Sequence, residues 1–131
     1  FGLAEVKRNL IAGAGGLFRL PKVIGQSAAM EVILTGEPIP AQRAYELGLV
    51  GRLVEAGEAL DAALALANKI CENAPLAVWE SRKVVLASSY ESEENLKRLT
   101  NEGFGRVLSS EDTKEGLTAF IEKRAPQWKG R

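Results

Sequence analysis

Histidine is absent from the chain of 131 residues, and cysteine occurs once, at Cys71. Without histidine, these residues cannot pair a serine or cysteine nucleophile with an imidazole, and they provide no imidazole ligand for a metal. One cysteine cannot close an intrachain disulfide or build a thiolate cluster, which favours an intracellular, cytoplasmic protein. We therefore expect neither a metal site nor a disulfide framework.

Net charge and long apolar runs are lacking as well. The 17 basic and 17 acidic residues balance, so no overall field attracts the chain to nucleic acid or to an anionic membrane. No apolar run approaches the length of a bilayer span. The 46% of hydrophobic and 26% of charged residues are typical of a globular domain. We expect one domain, or part of one, with no nucleic-acid or membrane partner.

The chain changes organisation near Glu55. Before that residue, short segments alternate with turn residues, and after it apolar residues recur at helical spacing. Glycines at 13, 15 and 16 indicate a tight turn, because glycine adopts backbone conformations that other residues resist. For the first part, the pattern predicts strands at 1–6 and 49–54 and short helices at 17–20, 27–34 and 41–47, the first of them limited by Pro21.

The later part of the chain is predicted as a series of helices. The first begins near residue 59, and its apolar face includes Cys71, which we expect to be buried. Pro75 starts the second helix and Ser92 caps the third. Asp112, followed by Glu115, resembles a capping box that starts the last helix.

Two features of the first part could carry chemistry. The turn "GAGG" lacks the spacing of a dinucleotide motif and the Lys-Ser/Thr of a P-loop. It either presents backbone N–H groups at a helix start or merely connects two elements. Glu5 lies in an apolar segment before this turn. A carboxyl in an apolar site can exchange a proton near neutral pH, whereas an exposed one is solvated or ion-paired. The residues alone leave both alternatives open.

Five blocks carry a resemblance to a known family. In chain order they are "FGLAEV", "IAGAGGLFRLP", "AMEVILTGEPI", "AYELGLVGRLV" and "SSEDTKEGLTAFIEKRAPQWKGR". Together they resemble the C-terminal half of the crotonase, or enoyl-CoA hydratase, family, from Phe1 to Arg131. Because the chain also begins with phenylalanine rather than methionine, we expect it to be the later half of a longer protein.

The resemblance implies an α/β fold, namely the C-terminal part of a crotonase-like ββα spiral followed by a helical oligomerisation region. It divides the chain into residues 1–73, the end of the acyl-CoA-binding core, and residues 74–131, a helical trimerisation region. Such proteins act on acyl-CoA thioesters with no separate cofactor, because coenzyme A is part of the substrate. The expected assembly is a homotrimer or a hexamer.

Four site residues follow from the resemblance alone. Glu5 matches the glutamate that delivers a proton to the α-carbon, and Gly13 matches a glycine whose N–H helps to place the reacting water. Phe104 matches an aromatic residue of the acyl or CoA pocket, with core packing as the alternative. Lys123 matches a basic residue near the CoA nucleotide, with an exposed helix face as the alternative. The second glutamate and both donors of the oxyanion hole would precede Phe1.

The implied function is that of an enoyl-CoA hydratase, which adds water across the 2,3 double bond of the thioester. The alternatives are an enoyl-CoA isomerase or another acyl-CoA enzyme of the family, and a non-catalytic helical assembly fragment. Ala4 and Ala12 stand where the family commonly has proline. Since proline would fix φ, we expect the segment that aims Glu5 to be held less firmly here.

Overall fold

Seven α-helices and one short 3-10 helix form the regular structure of the computed structural model, which describes residues 1–131. The 3-10 helix spans Glu5–Arg8. The α-helices are α1 (Gly16–Ile24), α2 (Gln26–Thr35), α3 (Ala41–Glu46), α4 (Ala59–Cys71), α5 (Pro75–Ala87), α6 (Glu93–Leu108) and α7 (Glu111–Glu122). None of them combines the length and the hydropathy that a bilayer crossing needs.

The chain divides into two compact units, Phe1–Glu58 and Ala59–Arg131. We call them the first and the second unit. The predicted division into residues 1–73 and 74–131 separates an acyl-CoA-binding part from a trimerisation part. It is a division by function, which the two compact units do not test, so it stays a prediction.

The two predicted strands are wrong for this chain. Part of the segment 1–6 forms the 3-10 helix, and residues 49–54 form bends and irregular backbone. A strand needs a ladder of backbone hydrogen bonds with a neighbouring strand. Here Phe1 and Ile39 exchange one pair of such bonds, at 3.0 and 2.7 Å, and no ladder extends from it. The chain is therefore helical, which agrees with the predicted helical region.

The core of the first unit lies around α1 and α2, where Ile24, Ala29 and Ile33 are buried. Partly buried side chains pack against these three residues: Leu3, Leu20, Ala28, Leu47 and Leu49. The predicted helix 17–20 was too short, because α1 continues through Pro21 to Ile24. Pro21 donates no backbone hydrogen bond within this helix, and Ile24 at its end is buried. The helix predicted at 27–34 is α2, which ends one residue later than predicted, before Gly36 with its φ of 64°.

Helices α4 to α7 form the second unit, in which α5 packs on α6 and α6 packs on α7. The predicted starts of α5 at Pro75 and of α6 after Ser92 are confirmed. The Ser92 side chain accepts a hydrogen bond from the Asn95 N–H at 3.2 Å. The prediction that Cys71 is buried is wrong, because α4 buries none of its residues and Cys71 is exposed. The apolar face of α4 has no cover within the unit.

The start of α7 differs from the predicted capping box. Ser110 caps the helix instead of Asp112, because its Oγ accepts the N–H of Thr113 at 3.2 Å. Asp112 is 3% exposed. Its carboxylate accepts the N–H groups of Lys129 at 2.7 Å and Gly130 at 2.9 Å. A buried carboxylate requires such donors, so Asp112 anchors the C-terminal segment to the start of α7.

Candidate functional site

Glu5 is the first residue of the 3-10 helix, and it is partly buried. Its carboxylate oxygen Oε2 is shielded from solvent and has no hydrogen-bond partner in the chain. The 3-10 helix ends at Arg8, because Asn9 has a left-handed conformation with φ of 56°. The N–H of Leu10 then donates to the Glu5 carbonyl at 3.1 Å. Leaving a buried carboxylate oxygen without a donor is costly. The chain itself therefore provides no donor that would hold this oxygen in place.

Contacts with the end of α2 hold the 3-10 helix. Lys7 forms an ion pair with Glu37. The Lys7 side chain also lies against Gly36, where an added Cβ would come within 3.1 Å of it. Ala4 has a φ of −96°, outside the range near about −65° that proline would impose. Tertiary contacts, rather than a proline, thus fix the segment that carries Glu5.

Gly13 lies in the turn before α1, and its N–H donates to the Ile11 carbonyl at 2.7 Å. The resemblance assigns this N–H to a reacting water, so that role requires the Gly13 N–H to be shared or released. Gly15, with φ of 104°, stands at the start of α1. A Cβ on Gly16 would lie 2.8 Å from Cδ1 of Leu3. The small residue at position 16 therefore lets the turn pack on the N-terminal segment.

An apolar cavity of about 460 Å³ adjoins this turn. Ligand cavities commonly measure about 300–1,000 Å³ and are lined mainly by apolar side chains. The lining here is apolar except for Arg19, and it includes Leu3, Gly16, Leu20, Val32 and Ile39. The cavity has the size and character to hold an apolar chain, but neither Glu5 nor Gly13 lines it.

Phe104 lies on α6 and is 63% exposed, so core packing within the unit does not account for it. It lines a cavity of about 360 Å³ together with residues of α5 and α6 that include Ser81, Val84, Thr100 and Val107. Arg106 donates to both carboxylate oxygens of Glu80, at 2.8 and 2.7 Å, and this pair ties α6 to α5. The hydrogen bonds from Arg106 also lower the pKa of Glu80. Gly103 lets Glu80 approach, since an added Cβ would lie 3.1 Å from its Oε2.

Lys123 follows the last residue of α7 and has a left-handed backbone, with φ of 55° and ψ of 41°. Its N–H donates to the Phe120 carbonyl at 3.3 Å, and the next N–H, of Arg124, donates to Ala119 at 3.1 Å. Glycine usually occupies this position, because a Cβ disfavours the left-handed conformation. The Lys123 side chain is exposed, and it does not line the cavity beside Phe104.

The sequence did not predict the role of Glu115, which it placed in a capping box. The Glu115 carboxylate accepts two bonds from Arg124, at 2.6 and 3.0 Å, and one from the Gln127 N–H at 2.7 Å. Hydrogen bonds from Arg124 and Gln127 lower the pKa of Glu115 to about 2. The only sequence signal for the Glu115–Arg124 contact is the presence of opposite charges in "EDTKE" and "EKR". The two residues lie on either side of the turn after α7, so their separation does not match the spacing of residues that contact each other within one helix.

Comparison with known proteins defines the class to which this helical chain belongs. The enoyl-CoA hydratase/isomerase family matches residues 1–131. The chain therefore belongs to the enoyl-CoA hydratase/isomerase family.

Three relatives illustrate the similarity. A carnitinyl-CoA dehydratase of Proteus mirabilis (strain HI4320) is 40% identical over 135 residues, covering 100% of this chain and 52% of that protein. A protein of Bacillus subtilis (strain 168), named probable enoyl-CoA hydratase, is 40% identical over 131 residues, covering 98% of this chain and 50% of that protein. The crystal structure of an enoyl-CoA hydratase from Mycobacterium tuberculosis H37Rv has 49% identity and a TM-score of 0.92, covering 100% of this chain and 52% of that one. The chain thus spans about half the length of the relatives it matches.

Proposed function

We propose that this chain is the C-terminal half of an enzyme that adds water across the 2,3 double bond of an enoyl-CoA thioester. The observation that carries the proposal is the shielded, unpartnered carboxylate oxygen of Glu5, at the position that matches the family's proton-delivering glutamate. The apolar cavity in the same unit supports an acyl substrate. In the proposed enzyme, the preceding half contributes the second glutamate, the two oxyanion-hole donors and the remainder of the α/β spiral.

The proposed chemistry assigns one proton transfer to Glu5. As a water oxygen bonds to C3, the water gives one proton to the second glutamate, the electrons of the double bond move toward the thioester carbonyl, and the enolate oxygen is stabilised by backbone N–H groups. Glu5 then gives its proton to C2, which completes the hydroxyacyl product. Run in reverse, the same steps remove water. A relative named as a dehydratase is therefore compatible with this assignment.

Replacement of Glu5 by glutamine tests the proposal in the full-length enzyme. Glutamine keeps the shape of the side chain but cannot deliver the proton, so we expect kcat for crotonyl-CoA hydration to fall by about 100-fold to 10,000-fold. Glu31→Gln is the matched control, since it removes an exposed carboxylate of α2 in the same unit. It should change kcat by less than about twofold. Turnover near that of the wild type in Glu5→Gln would overturn the role of Glu5.

An isomerase is the second candidate, because the matching family includes isomerases and this chain provides one candidate carboxylate for proton transfer. An isomerase moves the double bond without adding water. Analysis of the product by mass spectrometry separates the two reactions, because hydration adds the mass of one water. A shifted double bond with no hydroxyacyl-CoA would favour the isomerase.

Self-assembly is the remaining part of the proposal. Leu117, Phe120 and Ile121 recur along α7 at helical spacing and are 63%, 84% and 77% exposed, which supports coverage of this face in a homotrimer. Light scattering of the full-length enzyme should give three or six times the mass of one chain. The same measurement on the 131-residue chain, together with a titration of CoA, tests the alternative of a non-catalytic fragment. Assembly of the 131-residue chain, together with an absence of CoA binding by the full-length protein, would favour that alternative.

A further inference from the structure

The turn after α7 is closed by one guanidinium group that bridges two carboxylates. Arg124 binds both oxygens of Glu115, and its Nε donates to Glu122 at 2.6 Å. Glu115 is the more shielded acid, because its side chain is 22% exposed and that of Glu122 is 53% exposed. A two-bond contact between arginine and a carboxylate fixes orientation as well as distance. The residues on both sides of Lys123 are therefore held in place.

Glu115 also fixes the chain at Gln127, three residues after Arg124. Its Oε1 accepts the N–H of Gln127 at 2.7 Å, in addition to the bond from Arg124. One carboxylate thus determines the course of the backbone immediately after Lys123. An unfavourable left-handed backbone persists only where its surroundings impose it, and such residues concentrate at ligand sites. Glu115 contributes to that constraint, together with the bonds from the N–H groups of Lys123 and Arg124 to the end of α7.

The charges around the turn leave the Lys123 ammonium available. Arg124 pairs with the neighbouring carboxylates of Glu115 and Glu122, while no ion pair within the chain involves Lys123. The backbone of Lys123 is fixed and its side chain is exposed, and an ammonium group whose acidic neighbours in sequence pair with another cation suits a phosphate group. The substrate proposed above carries phosphates on its CoA nucleotide.

We propose that Glu115 is a positioning residue, which acts through Arg124 and Gln127 to hold Lys123 where it binds a phosphate of the CoA nucleotide. This inference rests on the proposed function, because that function supplies the nucleotide. Glu115 does not touch the substrate, and its effect passes through the backbone at Lys123.

The test compares variants of the full-length enzyme on two thioesters, crotonyl-CoA and crotonyl-pantetheine, which lacks the nucleotide. For Glu115→Gln we expect KM for crotonyl-CoA to rise about fivefold, as is typical of coupled residues in one hydrogen-bond network, with kcat within about twofold. For crotonyl-pantetheine both constants should match the wild type. Arg124→Lys keeps the charge but loses the two-bond contact, and it should give the same pattern if Glu115→Gln folds poorly. Glu94→Gln, which removes one exposed charge outside this turn, should leave KM within about twofold.

A double variant separates positioning from general distortion. Because Glu115 is proposed to act through Lys123, Glu115→Gln should add no further increase in KM to Lys123→Ala. An unchanged KM in both Glu115→Gln and Arg124→Lys, additive effects, or equal losses on the two thioesters would overturn the inference.

Calorimetric titration of CoA itself keeps this test separate from the test of the reaction. If crotonyl-CoA is not hydrated but CoA binds, a dissociation constant about fivefold weaker in Glu115→Gln still supports positioning. Absence of CoA binding by the wild type would overturn both proposals.

Discussion

Replacing Lys123 by glycine should make the protein more stable while it weakens substrate binding. Lys123 has a left-handed backbone at the end of α7, with φ of 55° and ψ of 41°. A residue with a Cβ is strained there, whereas glycine adopts this conformation freely. The same change removes the ammonium group that we assign to the CoA phosphate. Stability and binding should therefore move in opposite directions.

The size of the stability gain follows from two opposing terms. Relief of the left-handed backbone is worth about 1–2 kcal/mol. Glycine also has more freedom in the unfolded chain, which costs about 0.5–1 kcal/mol. We therefore expect the free energy of unfolding to rise by about 0.5–1 kcal/mol. Lys123→Ala keeps the strained Cβ and loses only the charge, so its free energy of unfolding should stay within about 0.5 kcal/mol of the wild type.

Urea unfolding followed by circular dichroism measures this difference, with KM for crotonyl-CoA measured in the same preparations. Both variants should raise KM to the same extent, because both lack the ammonium group. Asn9→Gly is a second control at the other non-glycine residue with positive φ, 56°. Asparagine tolerates this conformation better than lysine, so the gain there should be smaller. A Lys123→Gly protein less stable than Lys123→Ala would refute the argument from backbone strain.

Three further predictions concern elements that hold the candidate site. Ser110→Ala removes a buried helix cap and should lower the free energy of unfolding by about 1–2 kcal/mol. The control Ser109→Ala changes an exposed neighbour and should lower it by less than about 0.5 kcal/mol. Urea unfolding of both variants measures the difference, and equal effects would contradict the prediction. The pKa of Glu115 is lowered to about 2 from 4.5, so its ionised form is favoured in the folded state. Its contribution to stability is complete above about pH 4.5 and is lost as the pH falls toward 2. Unfolding curves of Glu115→Gln should lack this part of the pH dependence, and an identical dependence would refute it. Gly16→Ala places a Cβ 2.8 Å from Leu3 and should lower the free energy of unfolding by about 1–3 kcal/mol; an unchanged value would show that Leu3 moves aside without cost.

The helices were more predictable than the rest of the fold because their signals are local. Ser92 and Pro75 mark helix starts through contacts within one turn, and both starts are observed. The strand predicted at 1–6 failed because its hydrogen bonds depend on a partner that is distant in sequence. In this chain that partner is Ile39, which pairs only with Phe1.

The candidate site shows the same division between local and distant information. The family resemblance was sufficient to select Glu5 and Lys123 as candidate site residues from the sequence. The shielding of the Glu5 oxygen and the left-handed backbone of Lys123 could not be predicted from it, since each arises from packing between separate segments. Asp112 was assigned to a helix cap, because a carboxylate near a helix start has that role in most sequences. Its burial against the chain near residues 129 and 130 is a tertiary property.

The anchoring of the C-terminal segment by Asp112 sets different constraints on the residues at its two ends. Because the donors are main-chain N–H groups, the side chain at Lys129 can change during evolution to any residue except proline without loss of this contact. Position 130 favours glycine because of its φ of 74° rather than because of its donor role. Replacement of Asp112 by alanine would leave the N–H groups of Lys129 and Gly130 without their acceptor. Among sequences that share this anchor, we expect positions 112 and 130 to be retained while position 129 diverges.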